Sequence, residues 1–284
     1  MKLKILFGLT VILCVNNLYT QEVVHDYGLA WNFKEGGKYY VYSDAANVRS
    51  APDINSKIVS KLAAGQEVEV MPFEENDFGN SVTIDHFRGQ WVEIKVDNEI
   101  SGWIWSNTLS YKQLRRGNIK FVFGIDKVVN YRYKCTLKAI ESGKIIDRKS
   151  YEIGFEENRF TDANIIDNVW LDNVKFVVRI YTSGEACGIG SNEIYFAWLD
   201  ESKKLAELPK TTSVSDACVL SYSESLYIPS DNNSRISNLL LKVSAEAIIP
   251  DDDNDCDYKK WGWKYETKLF KWNGEKVVKV ENYE

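Results

Sequence analysis

The residues able to do nucleophilic or metal chemistry in this chain are few, and their placement narrows what they can do. Of two histidines, His25 and His86, neither lies beyond residue 86, so residues 116–284 contain no imidazole. A Cys-His dyad, a Ser-His-Asp triad and a histidine-ligated zinc centre all need one, and none can be built inside that stretch. Ser-Lys or paired-carboxylate mechanisms survive formally, but no spacing supports them. The expectation is a non-enzymatic chain with no cofactor and no metal.

Five cysteines are present, and Cys14 lies within the first twenty residues. The other four, Cys135, Cys187, Cys218 and Cys256, form no Cys-x-x-Cys pair, so zinc would require four scattered thiolates. In an exported chain an even number permits two disulfides in any of three connectivities. Cys187 and Cys218 flank what reads as one hairpin and are the first pair expected, which leaves Cys135 with Cys256. Plain buried thiols are the alternative. Asp251, Asp253 and Asp255 have the first spacings of a calcium loop, but Cys256 stands where glycine is wanted and Gly262 where a bidentate glutamate is. An acidic solvated loop is the better account. Gly184-x-x-x-Gly188-x-Gly190 lacks dinucleotide-binding spacing and reads as a turn. Asn232-Asn233-Ser234 is a glycosylation acceptor only in a eukaryotic secretory route.

The elements that must hold these residues are short and extended. With 284 residues, 44% of them hydrophobic, the chain is long enough for one or two packed domains. Its 41 acidic and 35 basic residues give a charge of −6, which lacks the cationic footprint that phosphate backbones demand, so no nucleic acid is expected as a partner. Residues 1–20 carry Lys2 and Lys4, then a short apolar run, and read as a secretory signal too short to span a bilayer. Removing them leaves 33 basic residues against 41 acidic, a charge of −8. Cys14 follows Val11-Ile12-Leu13, but Leu13 occupies the place where a lipoprotein box wants a small residue, so export to the periplasm or the exterior without a lipid anchor is expected. The mature chain is read as not membrane-spanning.

Short alternating runs separated by turn signals recur through the chain while the helical period stays weak, an all-β pattern. Residues 21–37 read as an N-terminal segment and residues 38–111 as a small barrel. A charged junction containing Arg115-Arg116-Gly117 precedes a larger antiparallel β domain over residues 116–284. In that domain residues 131–140 and 144–153 pair around Ser142-Gly143. Residues 174–182 and 193–199 form further strands, and residues 268–272 and 276–280 flank Asn273-Gly274, the strongest turn signal and a type I′ candidate. A sandwich is preferred for this domain, because about 165 residues hold fewer than the usual number of propeller blades, and a propeller-like arrangement is left open.

Ala46-Asn47-Val48-Arg49-Ser50-Ala51-Pro52 is followed by residues 56–70, by Trp91-Val92-Glu93-Ile94-Lys95-Val96 and by Ser101-Gly102-Trp103-Ile104. In order, spacing and residue type this block resembles the bacterial SH3 (SH3b) family. The resemblance implies a small closed barrel that binds cell-wall peptides or contacts other domains. Val48, Ile58, Leu62, Val68, Val70, Val92, Ile94 and Val96 are its expected core, since alternate strand residues share a face. Residues 73–90 are longer and more acidic than the pattern needs and read as a loop tip.

If Val92 and Ile104 face inward, Trp91, Trp103 and Trp105 take the opposite face, and Tyr40 and Tyr42 share a face that excludes Val41. These five rings are the candidate ligand-binding surface for a cell-wall peptide or another envelope protein. The competing reading is that the rings pack against the second domain, or under the segment carrying Trp31 and Phe33, which makes the chain a structural or interaction protein. A cell-envelope hydrolase with an unrecognised catalytic domain is the third reading.

Overall fold

The computed structural model describes residues 25–26, 33–72, 81–84, 87–97, 99–130, 132–154, 158–184, 188–217, 219–231, 236–250 and 258–281. Almost all of the ordered secondary structure is strand, arranged in three sheets. The first is built from β1 (His25–Asp26), β2 (Lys38–Tyr40), β3 (Ala45–Arg49), β4 (Ile58–Ala63), β5 (Glu67–Val70), β6 (Ser81–Ile84), β7 (Phe87–Val96) and β8 (Ile100–Trp105). Its pairing order is β2-β5-β7-β8-β3-β4, with β1 and β6 added on β7. Alternation explains its core: β5 buries Val68 and Val70 while Glu67 and Glu69 stay exposed, and Val48, Leu62, Val92, Ile94, Val96 and Ile104 point to the same interior.

Three expectations for this region are corrected. The sheet is rolled but not closed, because its path ends at β2 and β4 and no ladder joins them among the described residues. Instead the turn after β4 touches the chain after β2: the Gly65 amide donates to the Val41 carbonyl and the Val41 amide to the Gln66 carbonyl, both at 2.8 Å. Ile58 is 41% exposed, since it sits at the outer end of edge strand β4, at the bulge between Val48 and Arg49. Part of the expected loop tip is a hairpin, with β6 paired to β7 from Ser81↔Gln90 to Ile84↔Phe87. A long β7 therefore carries β1 and β6 along its first residues and β5 and β8 along its last.

The second sheet contains β9 (Leu114–Arg116), β10 (Ile119–Val129), β11 (Arg132–Glu141) and β12 (Lys144–Ile153), in the order β12-β11-β10-β9. Its turn at Ser142-Gly143 has positive φ at both residues, 50° and 74°, as a type I′ hairpin requires. The third contains β13 (Asn158–Asp167), β14 (Val174–Gly184), β15 (Ser191–Leu199), β16 (Lys204–Glu207), β17 (Thr211–Asp216), β18 (Leu220–Tyr227), β19 (Leu239–Ile248), β20 (Gly262–Trp272) and β21 (Val277–Lys279). These pair as β13-β14-β15-β17-β18-β19-β20-β21, with β16 added on β15. The Asn273-Gly274 turn differs from expectation: four residues separate the paired Trp272 and Val277, only Gly274 has positive φ, and the Asn273 side chain accepts from the Glu275 and Lys276 amides.

The second and third sheets pack face to face as a sandwich. Phe121 stands edge-on to Phe176 and to Trp198, each at 5.7 Å between ring centroids, and Phe123 meets Phe160 at 5.2 Å. A second apolar cluster gathers Val177, Tyr195, Ala197, Leu226, Leu240 and Trp272. The Trp272 indole fixes this end by donating to the Asp172 carbonyl at 2.8 Å. Cys135, on β11, is fully buried and unpaired, which corrects the expected pairing with Cys256. Its neighbours on β11, Leu137 and Ala139, share its place in the sandwich core, and there it behaves as a small apolar side chain. Cys187, Cys218, Cys256, the residues 251–257 acidic run, the sequon at 232–234, His86, Trp31 and the signal at residues 1–20 lie outside the described residues.

Candidate functional site

Strand β11 has two buried faces, and this is what builds the site. Cys135, Leu137 and Ala139 look toward the third sheet, so Thr136, Lys138 and Ile140 look the other way, toward the first. There Ile140 and Val122 of β10 meet Tyr40, Tyr42 and Ala64. Contact is close on both sides. A Cβ on Gly124 would lie 2.8 Å from the Tyr42 ring, and one on Gly65 would lie 2.9 Å from the Ile140 side chain. The Lys138 ammonium lies 4.1 Å from the centre of the Tyr42 ring and that of Lys120 lies 4.6 Å from Tyr40.

Polar groups ring this contact. The Tyr42 phenol donates to Asp126 Oδ1 at 2.5 Å and the Thr136 hydroxyl donates to Asp126 Oδ2 at 2.6 Å. Lys138 Nζ donates to the Tyr42 carbonyl at 2.8 Å and to Asp44 Oδ1 at 2.7 Å, while both terminal nitrogens of Arg148 reach Asp44 Oδ2 at 3.2 Å. Burial, reinforced by the hydrogen bond to Asp126, pushes the Tyr42 phenol far up, so it stays a neutral donor. The hydrogen bond from Lys138, aided by the nearby Arg148 charge, holds the Asp44 carboxyl below its ordinary value against its partial burial.

A cavity of about 340 Å³ opens at this junction, with Tyr42, Asp44, Trp105, Asn107, Asp126 and Arg148 among its walls. Trp105 is half-buried, and its indole Nε1 is out of contact with solvent and has no hydrogen-bond acceptor. An indole donor in that condition is short of one hydrogen bond. The cavity thus combines an aromatic wall, two carboxylates and two cations, a set able to orient a ligand carrying both signs of charge, while the Trp105 Nε1 is turned away against Gly89.

The five rings expected to form one outward surface are instead divided. Tyr40 and Tyr42 are 4% and 3% exposed, covered by the second sheet, and Trp91 is also buried. Trp103 and Trp105 are half-buried on the face opposite Ile104, where alternation places them. Tyr42 and Trp105 line the cavity and Trp103 does not. Asp44, Asn107, Asp126, Lys138 and Arg148 were not singled out from the sequence. One signal existed: Lys138 interrupts a run that is otherwise apolar or hydroxylated, which in a strand buried on both faces implies an anionic partner.

Residues 44–110 match the family model of the bacterial SH3 domain. No curated protein and no solved structure matches the chain. The SH3 segment supplies Asp44, Trp105 and Asn107 to the cavity, whereas Asp126, Lys138 and Arg148 come from the sheet that follows it. A bacterial SH3 segment suggests a module that binds the cell wall or peptides. Among the described residues no helix is long and apolar enough to cross a membrane, and no three His, Cys, Asp or Glu side chains gather as a metal site would need.

Proposed function

We propose that the chain is an exported, non-enzymatic binding protein that holds an extended peptide of the cell wall in the cleft between its SH3 segment and the β9–β12 sheet. The observation that carries this reading is the gathering of the half-buried Trp105 ring with side chains of both charges, Asp44, Asp126, Lys138 and Arg148, around one cavity. A peptide bearing both amino and carboxylate groups has a partner for each: Asp126 for the amine, Arg148 for the carboxylate, and the Trp105 ring for an alkyl stem. Export is supported by the signal-like residues 1–20 and by the frequency of SH3 segments in exported proteins. The test is retention of residues 21–284 on purified peptidoglycan. Arg148→Glu and Asn107→Ala should abolish retention, while the exposed Lys279→Glu should keep it; no retention of the wild type at low salt overturns the cell-wall reading. Incubation with muropeptides should release no fragments, and release would make the chain a hydrolase.

A second reading has its own support in the burial of Tyr40 and Tyr42 beneath the second sheet. In it the SH3 segment is a structural part of one rigid unit and binds nothing. Trp105 fluorescence separates the two, since only a ligand site should show protection from acrylamide on addition of soluble muropeptide.

A further inference from the structure

Strand β20 pairs along its whole length with β19, from Ile248↔Gly262 to Leu239↔Lys271, but β21 covers its other edge only from Phe270 to Trp272. Among the described residues no strand pairs with that edge from Gly262 to Lys268. The amide of Val280 donates to the Leu269 carbonyl at 2.9 Å, so Leu269 directs its backbone groups toward this edge. By the alternation of an antiparallel strand, Thr267, Tyr265 and Trp263 do the same. A row of unpaired donors and acceptors is a template for another strand. Trp263 and Tyr265 there are 46% and 66% exposed, and their cross-strand neighbours are only Ala247 and Ala245.

We infer that this edge pairs with the same edge of a second copy of the chain, antiparallel about a twofold axis at Tyr265, joining two nine-stranded sheets into one. The charges select the partner and the register. With Tyr265 opposite Tyr265, Lys264 faces the partner's Glu266 and Glu266 the partner's Lys264, while Trp263 faces the partner's Thr267. Moving the axis one residue toward the N-terminus sets Lys264 against Lys264. Moving it one residue the other way sets Glu266 against Glu266 and Lys264 against Lys268. Like charges directly opposite are destabilising in a ladder, and opposite charges stabilise it. An axis at Thr267 would match Glu266 with Lys268 but needs Leu269, whose carbonyl is already taken by Val280. In the selected register three residue pairs exchange roughly six hydrogen bonds, and Trp263 and Tyr265 of both copies line up on one face. In the single chain Glu266 is ion-paired with Lys268 at 3.3 Å and is 59% exposed, so that solvated pair is weak enough to be exchanged for the partner's lysine. The same lysines deter an unmatched strand, which is how edges are kept from indiscriminate pairing.

An interface of this size is at the weak end, with dissociation expected at about 1–100 μM. Sedimentation velocity of residues 21–284 across that range tests it. Lys264→Glu and Glu266→Lys should each weaken the dimer about tenfold or more by opposing like charges. The double variant Lys264→Glu/Glu266→Lys restores both matches and should return the wild-type dimer, a rescue that misfolding would not give. A wild type monomeric throughout, or an assembly indifferent to either single variant, overturns the inference.

Discussion

Two pairs of aromatic residues in this protein have the same two-residue spacing and opposite environments. Tyr40, the last residue of β2, and Tyr42, two residues beyond it, are almost wholly buried, whereas Trp263 and Tyr265 on β20 are about half in water. Alternation dictates only that the members of each pair share a face. What covers that face is decided by elements remote in sequence: Val122 and Ile140 arrive over Tyr40 and Tyr42 because β10 and β11 have a second apolar face, while nothing comparable crosses β20 at Trp263. A shared face of rings is therefore as compatible with a domain junction as with an open surface. The neighbours' second face tells the two apart.

The sharpest way to break that contrast is to truncate one ring from each pair. Tyr42→Ala should cost about 3–5 kcal/mol, combining a large cavity at the junction with the loss of the bond to Asp126. A guanidinium unfolding midpoint that moves no further than for Tyr265→Ala would show that the junction is not what buries Tyr42. The next effect comes from the opposite side of the same contact. Gly124→Ala places a methyl group 2.8 Å from the Tyr42 ring and should cost about 1–3 kcal/mol by overpacking. Combined with Tyr42→Ala, which empties that space, the penalty of Gly124→Ala should fall away, because residues in contact are not additive.

Much of this was legible in the sequence, for identifiable reasons. The SH3 core from Val48 to Val96 followed from period-two alternation, and only Ile58 departed, where a bulge and a strand end remove the cover. Strands flanking Ser142-Gly143 were also read correctly, because the turn residues tolerate positive φ. The site was not legible. Asp44, Asp126, Lys138 and Arg148 lie on different strands and in a loop, and their meeting depends on the packing of the first sheet against the second. The place of Cys135 was hidden for the same reason: counting thiols says nothing of which core each one enters.

A smaller effect lies in the charges at the junction. Asp44 is held ionised by Lys138, so its folded-state value is depressed; the stability it lends is full above the ordinary carboxylate value of about 4 and is lost as pH falls through that value toward the depressed one. Half of the Asp44 side chain is exposed, so the effect should be about 1 kcal/mol and screened by salt. Measured against Asp44→Asn, the wild-type advantage should be present at pH 6 and shrink as pH falls below the ordinary carboxylate value. An advantage that does not change with pH across the acid range would mean that ionisation of Asp44 is not its source.

The smallest expected effect is the one at the open pair. In dilute protein Tyr265→Ala should change stability by no more than about 0.5 kcal/mol, since it removes a ring that is mostly solvated. Concentration turns that near-silence into a test of what the edge is for. If β20 meets a second copy, binding to the folded form stabilises it by mass action, so the wild-type unfolding midpoint should rise with protein concentration while that of Glu266→Lys stays flat. Tyr42→Ala should lower the midpoint at every concentration and leave the slope alone, because the junction it damages lies within one chain. A slope that disappears in Tyr42→Ala but survives in Glu266→Lys would exchange the roles of the two aromatic pairs.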